Sequence, residues 1–167
     1  MSTVLITGAS SGRRVREICG PSRPGQVRER NAAMSEQNKQ IVRAYFEELD
    51  RGRTTPVHMC TDDFQFHPAG APTLDIDGVK TFGDAFFRGI TDLMHPLEEL
   101  IGDGDLVALR CRYEGTHDGE LMGVPATGRK VSAVGIGVMR VADGRIAEFW
   151  VSPDRLTIMQ QIGAIPS

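Results

Sequence analysis

The residues best suited to chemistry lie near the C-terminus, in the run RIAEFWVSPDRLTIMQQIG (residues 145–163). The only tryptophan, Trp150, precedes Asp154 by four positions, and the acid sits among apolar neighbours. A carboxyl in an apolar pocket ionises less readily. Its pKa rises from about 3.9 towards the working pH, so one group can both take and give a proton. A second reading stands beside this one. Ser152-Pro153-Asp154 has the make-up of a helix start, with Ser as N-cap, Pro at N1 and the acid favoured by the helix dipole by roughly 0.3–1 kcal/mol.

His67 closes the stretch DFQFH, in which Phe64 and Phe66 alternate with Gln65 and His67. With an ordinary pKa near 6.5, its imidazole suits a proton shuttle or a donor to a substrate carbonyl. A structural histidine at a pocket rim is the alternative. His117 continues the face formed by Val107, Leu109, Cys111 and Tyr113, which puts it at a pocket mouth or at a solvated hairpin end. Trp150, Tyr113, Phe66 and Met122 offer broad apolar walls to a flat substrate, with plain core as the other reading of each. Alternation gives Trp150, Ile146 and Glu148 one face. Glu148 then either looks into the pocket or pairs with Arg110 or Arg112. His58 and His95 read as structural. No His/Cys/Asp group has metal-ligand spacing, and no Gly-x-Ser-x-Gly or Cys/His pairing suggests covalent catalysis. No metal or organic cofactor is expected.

The elements that must hold these residues follow from periodicity. Ser35 can cap a helix with apolar positions Ile41, Val42, Tyr45, Phe46 and Leu49. A short helical piece over residues 55–60 leads into the DFQFH strand, and Pro68, Gly70 and Pro72 make a loop. A second amphipathic helix carries Val79, Phe82, Phe86, Phe87, Ile90 and Leu93. Strands are predicted over residues 97–101, 106–116, 130–140 and 145–151, the last two joined by an Asp143-Gly144 hairpin turn. Helices followed by an antiparallel meander give an α+β fold. The economical form is a cone-shaped, strongly curved antiparallel sheet wrapped around the N-terminal helices, leaving a conical apolar pocket. Gly135 and Gly137 fit a sharp bend or a close approach of ligand. Val134, Ile136 and Val138 on the outer face want a partner.

Composition sets the outer limits. The chain has 167 residues, 40% hydrophobic and 25% charged, with net charge −3, which suits one domain and points to neither nucleic acid nor membrane. Three scattered cysteines, Cys19, Cys60 and Cys111, fit a reducing cytoplasm better than a disulfide framework. Residues 1–33 differ from the rest, with six Arg, no Lys and two Glu. They are expected to be a disordered extension outside a domain of residues 34–167, with Met34 as the natural start. The opening MSTVLITGASSG resembles the start of a short-chain dehydrogenase/reductase, where a glycine-rich turn faces a dinucleotide phosphate. After Gly12 the resemblance fails at Arg13-Arg14 and the prolines beyond, so no dinucleotide site is expected.

A wider resemblance covers about four-fifths of the chain, from Glu36 onwards. It rests on G-T-H-x-G-E-x-M-G-x-P-A-T-G-R (residues 115–129), D-G-R-I-x-E-x-W (residues 143–150) and D-x-L-x-x-x-Q-Q-I-G (residues 154–163). These resemble the SnoaL-like polyketide (ester) cyclases of the nuclear transport factor 2-like and ketosteroid isomerase-like superfamily. The resemblance implies that fold, and a cofactor-independent aldol-type ring closure of a polyketide ester with Asp154 as general acid/base. His67 would assist, and Trp150, His117, Tyr113, Phe66, Met122 and Arg112 would contact a small apolar or aromatic substrate. It also implies a homodimer or homotetramer. Where ketosteroid isomerases carry a catalytic Asp before Pro-x-Gly, this chain reads His67-Pro68-Ala69-Gly70, against isomerisation by that route. The fold also hosts other functions. A non-catalytic binder of a small apolar ligand, a partner subunit, and a hydrolase or isomerase of a small apolar substrate therefore remain alternatives. For a hydrolase of the Asp/Arg/Asp kind, Asp154 and Arg112 would contribute.

Overall fold

The computed structural model describes residues 24–166. The reductase-like opening therefore lies outside the described residues. Helix α1 (Pro24–Gly52) is followed by a 3-10 turn (Val57–Met59), strand β1 (Cys60–Pro68) and helix α2 (Ile76–Gly89). Strands β2 (Leu97–Asp103), β3 (Leu106–Thr116), β4 (Lys130–Ala142) and β5 (Arg145–Pro153) come next, and helix α3 (Arg155–Ile162) closes the chain. The architecture is α+β, with one curved, unclosed five-stranded sheet in the order β1-β5-β4-β3-β2.

The meander β2 to β5 is antiparallel throughout, whereas β1 pairs with β5 in parallel. The sheet is thus mixed rather than wholly antiparallel. A tight hairpin would force reversal, but β1 is joined to the meander through α2 and is free to run with β5. The β4–β5 hairpin turns on Asp143 (φ 50) and Gly144 (φ 76), two successive left-handed residues that match the twist of the strands.

Helix α1 lays Val42, Tyr45 and Phe46 on the inner face of the sheet, where they meet Phe64, Phe66, Val107, Leu109, Cys111, Met139, Phe149 and Val151. Ser35 does not cap this helix, because α1 already begins at Pro24, upstream of Met34. Its hydroxyl instead accepts from the Gly104 N–H (3.1 Å), and Asn38 donates to the Gly104 carbonyl (2.9 Å), fastening α1 to the β2–β3 turn. A second apolar cluster joins Phe86 and Phe87 of α2, Val131 and Ala133 of β4, and Ile158 and Ile162 of α3. The Gln161 amide fixes α3 there. It accepts from the Ser132 N–H (2.8 Å) and donates to the Ser132 carbonyl (3.0 Å), as a neighbouring strand would.

One irregularity decides which side chains face inwards. Arg140 pairs with Glu148 but Val141 pairs with Ile146, so Ala147 is an extra residue on β5. This bulge reverses the alternation. Ile146 is fully buried in the core, while Glu148 and Trp150 lie on the outer face, correcting the expectation that the three share one face.

Candidate active site

An apolar cavity lies between α1, α2 and the inner face of the sheet, with a volume of about 60 Å³. Phe66 on β1, Phe82 and Phe86 on α2, and Phe149 on β5 form aromatic walls. The residues with polar groups that line it are Tyr45, Thr55, His95 and Tyr113. Burial, helped by nearby Cys60 and Tyr113, pushes the Tyr45 phenol far above its ordinary range. Burial does the same to Tyr113, with Cys111 adding to it. Both therefore remain O–H donors at any working pH. Burial also pushes the Cys60 and Cys111 thiols up to about 12, which removes them as thiolate nucleophiles.

The two glycines of β4 explain how the rings fit. A Cβ on Gly135 would stand 2.5 Å from Tyr113 Cε2, and one on Gly137 would stand 2.8 Å from Phe149 Cε2. These positions admit the protein's own aromatic rings to the floor of the cavity.

His95, in the connection between α2 and β2, is 7% exposed. Its backbone N–H donates to Asp50 Oδ2 (2.8 Å), and its ring Nδ1 lies 2.6 Å from Asp50 Oδ1. Phe46, Phe87 and Tyr113 surround the ring, the last edge-on at 4.7 Å between centroids. Asp50 projects from the last turn of α1, a position the helix dipole disfavours for an acid and which His95 makes useful.

The eight residues singled out from the sequence do not converge. Phe66 and Tyr113 line the cavity. Asp154 follows Pro153, which also lines it, but the Asp154 side chain is exposed and caps α3. Its carboxylate accepts from the Thr157 hydroxyl (2.7 Å) and N–H (3.0 Å), and these two bonds hold it below the usual carboxylate range. The cap is therefore Asp154 rather than Ser152, and the hydrogen bonds from Thr157 outweigh the expected desolvation. His67 stands on the outer face, as the neighbour of inward-facing Phe66 must. Its ring stacks on Trp150 at 5.0 Å, and Nδ1 meets Thr73 Oγ1 at 3.0 Å. Arg140 lies over Trp150 and pairs with Glu148 and Asp105, so Glu148 pairs with its cross-strand neighbour rather than with Arg110 or Arg112. Arg112 is tied to Glu98, Glu114 and Ser132 on the outer face. Met122 is 46% exposed in a turn. His117 is fully buried, at neither a pocket mouth nor a solvated end; Nδ1 meets Thr127 Oγ1 at 2.9 Å.

The family model of the SnoaL-like polyketide cyclases matches residues 39–162. The chain belongs to that family. Aklanonic acid methyl ester cyclase DauD of Streptomyces sp. (strain C5) is 38% identical over 132 residues, which is 74% of this chain and 80% of DauD. A solved structure from Jannaschia sp. CCS1, assigned to the SnoaL-like polyketide cyclases, superposes with TM-score 0.71 at 26% identity, covering 80% of this chain and 96% of that one. IdmH of Streptomyces antibioticus, assigned as a polyketide cyclase, gives TM-score 0.67 at 28% identity, covering 76% of this chain and 99% of IdmH.

In this SnoaL-like chain the polar groups at the cavity are mostly ones that sequence reasoning passed over. Asp50 and His95 are 45 residues apart, on different elements, and no local spacing joins them. The one signal was an acid at the C-terminal end of an amphipathic helix. Among the described residues no helix is long and apolar enough to cross a membrane, and no three His, Cys, Asp or Glu side chains are grouped as metal ligands.

Proposed function

We propose that this chain closes a ring in a polyketide ester by intramolecular aldol condensation, without a cofactor. The carrying observation is a small, partly open apolar cavity lined by two tyrosines whose phenols burial holds in the protonated form. Aldol closure moves protons and forms one C–C bond with no net redox change, so proton donors and acceptors are enough. The base takes a proton from a carbon already acidified by flanking carbonyls. The resulting enolate attacks a second carbonyl, whose oxygen gains negative charge and then a proton. Apolar walls strengthen every hydrogen bond made to that oxygen.

Asp154 suits the base role. It follows Pro153 of the cavity wall and, as an exposed carboxylate, is ionised at neutral pH; to take a proton inside the cavity it must leave the Thr157 bonds that now engage it. The kinship with DauD supports a polyketide methyl ester as substrate. The cavity is far smaller than the roughly 300–1,000 Å³ of ligand-filled pockets. Binding must therefore displace a wall, and α2, carrying Phe82 and Phe86, is the wall proposed to move.

The test is conversion of aklanonic acid methyl ester by the purified chain. The expected product has the same mass as the ester and a new chromatographic position, and forms at least about 100-fold faster than without protein. No conversion would sink the proposal and leave binding without chemistry.

The outer sheet face supports a homodimer, or a homotetramer built on it. There Ile136 is 52% exposed between Val134 and Val138.

A further inference from the structure

Aldol closure needs an acid for the acceptor carbonyl as well as a base for the C–H. Asp154, exposed and bonded to Thr157, is an ionised carboxylate at neutral pH and holds no proton to give until it has acted as the base. The cavity offers a separate candidate. Phe46 and His95 both border the inner cavity and a distinct surface groove over the end of α1, and of the two only His95 carries a proton. The groove also reaches Asp50, with Arg43, Glu47 and Arg51 around it.

The bonding of the pair fixes which atom is free to act. An ionised carboxylate only accepts, so the hydrogen between Asp50 Oδ1 and His95 Nδ1 belongs to the ring. Nε2 is then the nitrogen that gains and loses a proton. Asp50 grips the backbone N–H of His95 as well as the ring, which sets the ring's orientation. Tyr113, edge-on to the same ring, lines the same cavity.

We infer that His95 is the proton donor to the acceptor carbonyl oxygen, with Asp50 as its positioning residue and the outer groove as the route by which solvent restores the proton. The inference rests on the cyclase reading above. In the step, Asp154 takes the proton from the donor carbon and the enolate carbon bonds to the acceptor carbon. The carbonyl π pair moves to oxygen, and the oxygen takes the Nε2 proton. The neutral ring, its Nδ1–H still on Asp50, regains a proton through the groove, while Asp154 returns its proton to solvent. Protons balance, and no co-reactant is needed.

The test uses the full chain with aklanonic acid methyl ester as probe, measuring kcat and KM separately. His95→Gln is expected to lower kcat about 100-fold or more with KM within about three-fold, the signature of a lost proton transfer. Asp50→Asn keeps an acceptor and removes the charge, and is expected to lower kcat about 10-fold at unchanged KM. A folded His95→Gln variant with kcat within about three-fold of wild type overturns the assignment. If the wild type converts nothing, the cyclase reading fails rather than the choice of residue. If His95→Gln does not fold, 15N NMR of the wild-type imidazole decides. Nε2 of His95 must shift when the cyclised product binds, and an unmoved Nε2 overturns the assignment.

Discussion

At Asp154 the nearest bonds decide protonation. The Thr157 hydroxyl and N–H stabilise the carboxylate in the folded state. Its folded pKa is therefore below the unfolded value of about 3.9. The cap's contribution to stability is present above that value and is lost as pH falls through the folded pKa. Asn caps a helix nearly as well as Asp, so Asp154→Asn separates the cap from the charge. The expected result is a melting temperature within about 3 °C of wild type at neutral pH and kcat lowered about 100-fold. A variant with full activity would assign Asp154 to capping alone. What the sequence made legible at this scale was the inward pair Phe66 and Tyr113, because alternation holds over residues 64–67 of β1 and 107–113 of β3. The same rule sends His67 outwards, since neighbours on a strand cannot share a face. His117 was read by extending a strand face past its end, where the backbone instead folds back to bond Thr127 and Gly128.

Among the elements, β3 matches its predicted span, while β2, β4 and β5 each run two residues further. In β3, β4 and β5 the patterns were clear because one face is buried and the other is not. Two features were hidden. The Ala147 bulge moves Ile146 inwards and leaves Trp150 outside, and a period-2 reading has no means of detecting one extra residue. The parallel docking of β1 on β5 is a long-range choice made by the α2 crossover. Asp75 caps α2 by accepting from the Gly78 N–H (2.9 Å), so that helix starts slightly earlier than its apolar residues suggest.

For the whole molecule, the outer sheet face divides into two zones. Arg140, Glu148, Asp105, Trp150 and His67 form a polar and aromatic zone whose ion pairs are partly exposed and add little stability. Beside it, Ile136 with Val134 and Val138 makes the apolar strip proposed to meet a second copy. Ile136→Lys puts a charge in that strip. Light scattering is expected to show a dimer or tetramer for wild type and a monomer for the variant; a monomeric wild type would end the oligomer proposal. Ring closure is proposed to happen in the cavity between α1, α2 and the sheet. The most direct measurement is a structure with the cyclised product bound. The expected result is a ring system between Phe66 and Tyr113, its new hydroxyl within hydrogen-bond reach of His95, and α2 displaced outwards. A product bound instead against the His67–Trp150 stack, with the cavity unchanged, would contradict it.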